Sequence, residues 1–167
     1  LFSTPAFYRL WLAQVVSATG DWLGLLAISI LAIRLGSGNE GAALSLVLAA
    51  RIVPGFFFGP VAGVFVDRWD RKKTMVTCDM GRAMVMLALP FVDTLFGLFL
   101  ASLLLEAFTM LWGPAKEASV PHVVPAESLA SANSLSMLAA YGTFPVGAGL
   151  MALFGRLSTA QIGRAHV

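Results

Sequence analysis

Residues 55–73 read GFFFGPVAGVFVDRWDRKK, and this stretch decides how the rest of the chain is interpreted. Gly55, Gly59, Gly63 and Asp67 recur at every fourth position, so on a helix they form one stripe. Glycines at this spacing allow another helix to approach closely inside a membrane. The basic cluster at the end of the stretch is typical of a cytoplasmic loop. The stretch therefore predicts a membrane-spanning helix that leaves the bilayer on the cytoplasmic side.

The composition of the chain also indicates a membrane protein. Of its 167 residues, 58% are hydrophobic and only 12% are charged, whereas a soluble domain carries about a quarter charged residues. The net charge of +2 gives no argument for nucleic acid as a partner, and the single cysteine, Cys78, permits no internal disulfide. The sequence shows no metal-ligand spacing, no nucleophile beside a base and no phosphate-binding loop. We therefore expect a protein that is not an enzyme and that uses neither a metal nor a cofactor.

Five segments are long and apolar enough to cross a bilayer, which requires about 20 mostly apolar residues per helix. We predict these five transmembrane helices at residues 8–35, 43–66, 74–95, 96–115 and 129–154. The predicted fold class is therefore an all-α membrane protein.

The lysines and arginines at the ends of these segments and in the loops between them predict the orientation of the chain. Alternate helix ends face the same side of the membrane, and one side collects Arg9, Arg68, Arg71, Lys72, Lys73 and Lys116. The other side has Arg34 and Arg156. Because cytoplasmic loops carry the excess of basic residues, we expect the N-terminus to be cytoplasmic.

Residues 63–73, read as GVFVDRWDRKK, resemble motif A of the major facilitator superfamily, which lies between transmembrane helices 2 and 3. Asp70 stands where the motif usually has glycine. By this resemblance, Asp67 would contact a helix of the C-terminal half and help to lock the outward-facing state. The alternative is that the basic residues only anchor the loop to anionic lipid. The motif implies these gating residues: Gly63, Asp67, Arg68, Arg71 and Lys72.

The passage from the fourth to the fifth helix resembles the branch of the superfamily that contains the enterobactin exporter and macrolide efflux proteins. It reads WGPAK at residues 112–116, PHVVP at 121–125 and LASANSL at 129–135. The resemblance implies the first five helices of a twelve-helix fold.

The fifth helix carries a partial match to a second motif of the superfamily. Residues 142–149 read GTFPVGAG and partly resemble the antiporter motif, which suggests export by exchange. Together with the glycine stripe, this match gives the residues predicted to mediate helix packing: Gly55, Gly59, Pro145, Gly147 and Gly149.

Ionisable residues inside spanning segments are costly and are candidates for function. At about 1.5 Å rise per residue, Asp21, Arg51 and Glu106 fall into one layer near the middle of the membrane. In the superfamily that the chain resembles, helices 1, 2 and 4 border the central cavity, so we predict that these three residues form a buried cluster there. Movement of the arginine would then change the proton affinity of a carboxylate. The alternative is a static ion pair that fixes helix packing. Asp79 and Arg82 are expected to form a local pair, one to two turns above the cytoplasmic surface.

The sequence thus favours a secondary active transporter of a bacterial inner membrane, a proton-coupled exporter of amphipathic molecules of drug, macrolide or siderophore type. An uptake permease of the same fold and a non-transporting membrane scaffold are the alternatives.

Residues 1–161 are expected to be an incomplete N-terminal half that does not transport alone. Its expected partners are the substrate, protons, the lipid bilayer and the C-terminal half of the same chain. Residues 162–167, IGRAHV, are predicted to be a sequencing-adapter scar.

Overall fold

Six α-helices make up the computed structural model, which describes residues 4–66 and 68–164 and contains no strand in those ranges. They are α1 (Pro5–Leu35), α2 (Glu40–Val66), α3 (Arg71–Ala88), α4 (Leu95–Ser119), α5 (Leu129–Gly142) and α6 (Phe144–Arg164). Three short 3₁₀ turns lie between them, at Leu89–Phe91, Val120–His122 and Ala126–Ser128.

Four segments of the described residues are long and apolar enough to cross a membrane: Pro5–Leu35, Glu40–Gly59, Leu95–His122 and Ala126–Leu153. α3 is not among them, because its 18 residues include a basic first turn and the charged pair Asp79 and Arg82. The all-α membrane class predicted from the sequence is confirmed. The predicted fifth spanning helix corresponds to α5 and α6 together.

The helix ends differ from the predicted ones for local chemical reasons. α1 begins at Pro5 rather than residue 8, since proline fits the first turn of a helix. α4 continues through Pro114 to Ser119, although we expected it to end near residue 115. The last predicted helix is interrupted at Thr143, because Pro145 has no N–H for the preceding turn.

α3 begins at Arg71, three residues earlier than predicted, because Asp70 is its N-cap. The Asp70 side chain accepts a hydrogen bond from the backbone N–H of Lys73 at 2.9 Å. This bond satisfies one of the amide groups that a helix N-terminus leaves unpaired. The aspartate that departs from the family pattern therefore performs a local structural role.

Loss of this cap has a measurable cost. We expect Asp70→Ala to lower the free energy of unfolding by about 1 kcal/mol, the usual value for an N-cap, whereas Asp70→Asn keeps an acceptor oxygen. Thermal unfolding of both variants in detergent checks this. Equal loss in the two variants would show that the charge of Asp70, and not its capping oxygen, is what matters.

The helices pack around three apolar clusters, and two of these are stacked along α4. α4 contacts α2 and α3, and α1 contacts α2, α5 and α6. Ile28, Val47 and Leu98 are fully buried in one cluster. The second cluster, nearer the basic loop, is centred on Met75 and Trp112. The charged layer described below lies between these two clusters.

Outward-facing apolar side chains cover much of the molecule. Phe56, Phe57 and Phe58 are 80%, 66% and 61% exposed. They follow one another around α2, so they cannot all face a single cavity. Such a surface suits lipid or further helices and not water.

Three side-chain donors of α1 hold this helix to α5. Trp11 Nε1 donates to the Leu135 carbonyl at 3.0 Å, and Gln14 Nε2 donates to the Ser136 carbonyl at 2.9 Å. Trp22 Nε1 donates to the Ala140 carbonyl at 2.8 Å, next to the interruption between α5 and α6. α1 and α5 are therefore joined by polar bonds along most of their contact.

Candidate functional site

Arg82 of α3 is the centre of the charged layer. Its Nη1 donates to both carboxylate oxygens of Asp21 on α1, at 2.8 and 2.7 Å. Its Nη2 donates to Ser17 Oγ at 2.7 Å and to Asp79 Oδ1 at 2.5 Å. Arg82 is only 6% exposed. A buried guanidinium requires such partners, because an unpaired charge in this setting is strongly destabilising.

Asp79 accepts hydrogen bonds from two side chains besides that of Arg82. Ser17 Oγ donates to its Oδ1 at 2.9 Å, and Trp112 Nε1 donates to its Oδ2 at 3.2 Å. The Trp112 ring centroid is 5.4 Å from Cζ of Arg82, within the range of a cation–π contact. We call Ser17, Asp21, Asp79, Arg82 and Trp112 the Arg82 network. It connects α1, α3 and α4.

The predicted layer of Asp21, Arg51 and Glu106 is brought together only in part. Arg51 and Asp21 line the same two cavities, and both of their charges act on the Glu106 carboxyl. In the described ranges, however, the ion pairs of the layer belong to Arg82 and not to Arg51. The proton-coupling role of these three residues stays a prediction.

Asp79 and Arg82 form the ion pair that their spacing predicted. Their predicted depth, one to two turns above the cytoplasmic surface, stays a prediction. α3 begins at Arg71, so Arg82 lies eleven residues inside it, about 16 Å at the usual rise. The long arginine side chain covers the remaining distance to Asp21.

Gly55 makes room for Glu106 on α4. A Cβ atom at position 55 would lie 2.8 Å from Glu106 Oε1. At Gly59 and Gly63 a Cβ atom would meet nothing within 4 Å among the described residues. These two positions present an open face of α2, as expected if another helix binds there, and that role stays a prediction.

Two cavities meet at the Arg82 network. One, of about 710 Å³, lies mainly between α1 and α3, and its walls are largely apolar, with Leu12, Val16, Met86 and Leu105 among them. The other, of about 350 Å³, lies between α1, α4 and α5 and includes Gln14, Thr109, Lys116 and Tyr141. Three residues line both: Ser17, Asp21 and Arg51. Asp21 is therefore accessible from two sides of α1.

The residues of motif A lie apart from this layer. Arg68 and Lys72 are exposed, Arg71 is half-buried, and Asp67 is outside the described residues. A third cavity, of about 450 Å³, is lined by Arg68, Trp69, Lys73 and the apolar residues Phe108 and Leu111. The gating role predicted for Asp67 has no structural test here.

The helix-packing residues of the fifth helix differ from one another. Gly147 faces α1, where a Cβ atom would lie 3.0 Å from Trp22 Cβ. At Gly149 a Cβ atom would meet nothing within 4 Å in the described part of the chain, and Pro145 is exposed. Of these two glycines, Gly147 is therefore the one that lies close to α1.

Comparison with known proteins identifies the family. The profile of the transmembrane secretion effectors, a family of the major facilitator superfamily, matches residues 1–163. The chain belongs to this family. The membership predicted from motif A and the helix 4 to helix 5 passage is confirmed, and no solved structure matches.

Its relatives are named as transporters. Macrolide efflux protein A of Streptococcus pyogenes is 34% identical over 133 residues, which are 74% of this chain and 31% of the relative. YfiS of Bacillus subtilis, an MFS-type transporter, is 30% identical over 127 residues, 75% of this chain and 30% of the relative. YkuC of the same bacterium, also an MFS-type transporter, is 29% identical over 157 residues, which are 89% of this chain and 36% of the relative. The chain thus spans about a third of the length of these relatives.

Proposed function

We propose that the protein encoded by the complete gene is a proton-coupled exporter of amphipathic small molecules in a bacterial inner membrane. The observation that carries the proposal is the position of Asp21 and Arg51, which line both cavities beside largely apolar walls. Apolar walls suit the hydrocarbon part of an amphipathic substrate. The charged groups suit its polar part and a proton.

Charge placement supports coupling to protons. A carboxylate beside an arginine binds a proton less readily than one whose arginine has moved away. Arg51 acts on Glu106 and shares both cavities with Asp21, so a rearrangement of α2 against α1 or α4 would change proton affinity at either carboxyl. That change is what exchange of a proton for a substrate requires.

Other features support the direction and the partners. The basic residues of the loop after α2 favour a cytoplasmic N-terminus. One relative is named as a macrolide efflux protein, so a macrolide is the first substrate to test. The open face of α2 at Gly59 and Gly63 suits a helix from the C-terminal half of the transporter.

Everted membrane vesicles that contain the complete protein test this proposal. Acidification of the vesicle lumen is expected to drive a labelled macrolide into the lumen, because protons leave as the substrate enters. Asp21→Asn or Glu106→Gln is expected to reduce this uptake to the level of vesicles without the protein. Glu40→Gln serves as a matched acid-to-amide control, since Glu40 is exposed in the first turn of α2. Uptake that does not respond to the proton gradient in the unmodified protein would overturn the proposal.

A further inference from the structure

The Arg82 network contains more acidic than basic side chains. One guanidinium contacts two carboxylates, those of Asp21 and Asp79. If both are ionised, the group carries one net negative charge. One carboxylate can therefore take up a proton while Arg82 keeps a charged partner. A simple buried pair lacks this property, because protonation of its only acid leaves the arginine unpaired.

The hydrogen bonds distinguish the two carboxylates of the network. Asp79 accepts from three different side chains: Arg82, Ser17 and Trp112. Asp21 accepts from Arg82 alone among the described side-chain donors. Donors directed at a carboxylate favour its ionised form. Asp79 therefore has more donor side chains directed at it than Asp21 has.

The two carboxylates also differ in the cavities that they line. Asp21 lines both cavities, whereas Asp79 lines only the larger one among those described. The other charged or titratable groups that line these cavities or act beside Asp21 come from α1, α2, α3, α4 and α5. They are Arg9 on α1, Arg51 on α2, Asp79 and Arg82 on α3, Glu106, Lys116 and Glu117 on α4, and Tyr141 on α5.

We propose that Arg82 is a positioning residue with Asp79 as its permanent counterion, so that proton exchange at Asp21 makes and breaks the connection between α1 and α3. This inference rests on the proposed function, whose proton site it narrows to one carboxyl. A neutral Asp21 no longer forms an ion pair with Nη1, so the attraction between opposite charges that joins the two side chains is lost. Arg82 then remains on Asp79 of its own helix.

The other contacts of α1 indicate which parts move together. Trp11, Gln14 and Trp22 bind backbone carbonyls of α5 through bonds that do not involve Asp21. Protonation therefore loosens α1 from α3 and leaves it attached to α5. The 710 Å³ cavity lies between the separating helices α1 and α3, so its width is coupled to the proton on Asp21.

Infrared difference spectroscopy of the complete protein in lipid, titrated with pH and without substrate, tests this assignment. The carboxylic C=O band that appears on acidification is expected to vanish in Asp21→Asn. In Asp79→Asn the band is expected to remain, and the midpoint of its appearance in the pH titration is expected about one pH unit or more lower. The reason is that Arg82 then pairs with Asp21 alone. A purely structural network would shift neither the band nor its midpoint.

Two further measurements keep the result interpretable. If an asparagine variant does not fold, Asp21→Glu is expected to change the frequency of the band, while Asp79→Glu leaves it in place. A band that persists in Asp21→Asn, or a midpoint unchanged in Asp79→Asn, would overturn the assignment. The spectra need no substrate or gradient. Normal spectra in a protein whose vesicles show no proton-driven uptake would therefore count against the proposed function and not against the Asp21 assignment.

Discussion

Arg82→Met is expected to lower the free energy of unfolding by about 3 kcal/mol, the lower end of the range for breaking a buried ion pair. Methionine fills a similar apolar volume but leaves Asp21 and Asp79 close together without a cation. The Asp21 and Asp79 side chains are 30% and 40% exposed, so partial hydration places the loss at the lower end. Denaturant or thermal unfolding of the purified protein in detergent measures it.

The pH dependence of the stability defect and a second variant, Arg51→Met, serve as controls. The defect of Arg82→Met is expected to shrink as the pH falls, since protonation of one carboxyl removes the repulsion between Asp21 and Asp79. Arg51→Met removes an arginine of the same layer that makes no ion pair among the described residues, and it is expected to cost much less. Equal losses in the two variants at every pH would contradict the central position of Arg82.

Much of the architecture can be predicted from the sequence, because a long apolar segment in a bilayer has few alternatives to a helix. Segment length and hydrophobicity predict four of the five expected spanning segments in their order. The third expected segment, α3, is not among the four candidate spans of the described residues, because it is short and charged. The break at Thr143 was missed because apolar character continues across it, although Pro145 marks the interruption. The early start of α3 was missed because Arg71 and its neighbours were read as loop, whereas Asp70 caps them into a helix.

The candidate site was harder to predict than the helices. Rise per residue gives depth, and depth grouped Asp21 with Arg51, which line the same two cavities. Depth says nothing about which way a side chain points, so it missed Arg82 as the partner of Asp21. A usable signal was present: Ser17 and Asp21 are four residues apart, and Asp79 and Arg82 are three apart. Each pair therefore lies on one helix face. The contribution of Trp112 had no such signal, because it depends on how α4 packs against α3.

Gly147→Leu is expected to destabilise the protein by about 2–3 kcal/mol, near the upper end of the range for inserting extra atoms into a packed site. Beside the new Cβ lie Trp22 Cβ at 3.0 Å, the Leu23 amide nitrogen at 3.6 Å and the Thr19 carbonyl oxygen at 3.7 Å. Two of these three atoms belong to the α1 backbone, which cannot rotate away as a flexible side chain can.

Trp22 is also fixed in its position. Its indole N–H binds the Ala140 carbonyl, and its ring contacts Phe144 edge-on, with centroids 4.9 Å apart. A leucine at position 147 therefore pushes on the residue that joins α1 to both sides of the interruption at Thr143. Helices in membranes depend on small residues for such close approach.

Gly149→Leu is the matched control for Gly147→Leu, because it places the same side chain two residues further along α6. Nothing within 4 Å surrounds the Gly149 position in the described part of the chain. The unfolding temperature is expected to be clearly lower for Gly147→Leu than for Gly149→Leu, with that of Gly147→Ala between them. If Gly149→Leu proved as damaging as Gly147→Leu, the closest contact of α6 would lie with a helix other than α1. The Trp22 bond to Ala140 would then have to hold the interrupted segment without support from Gly147.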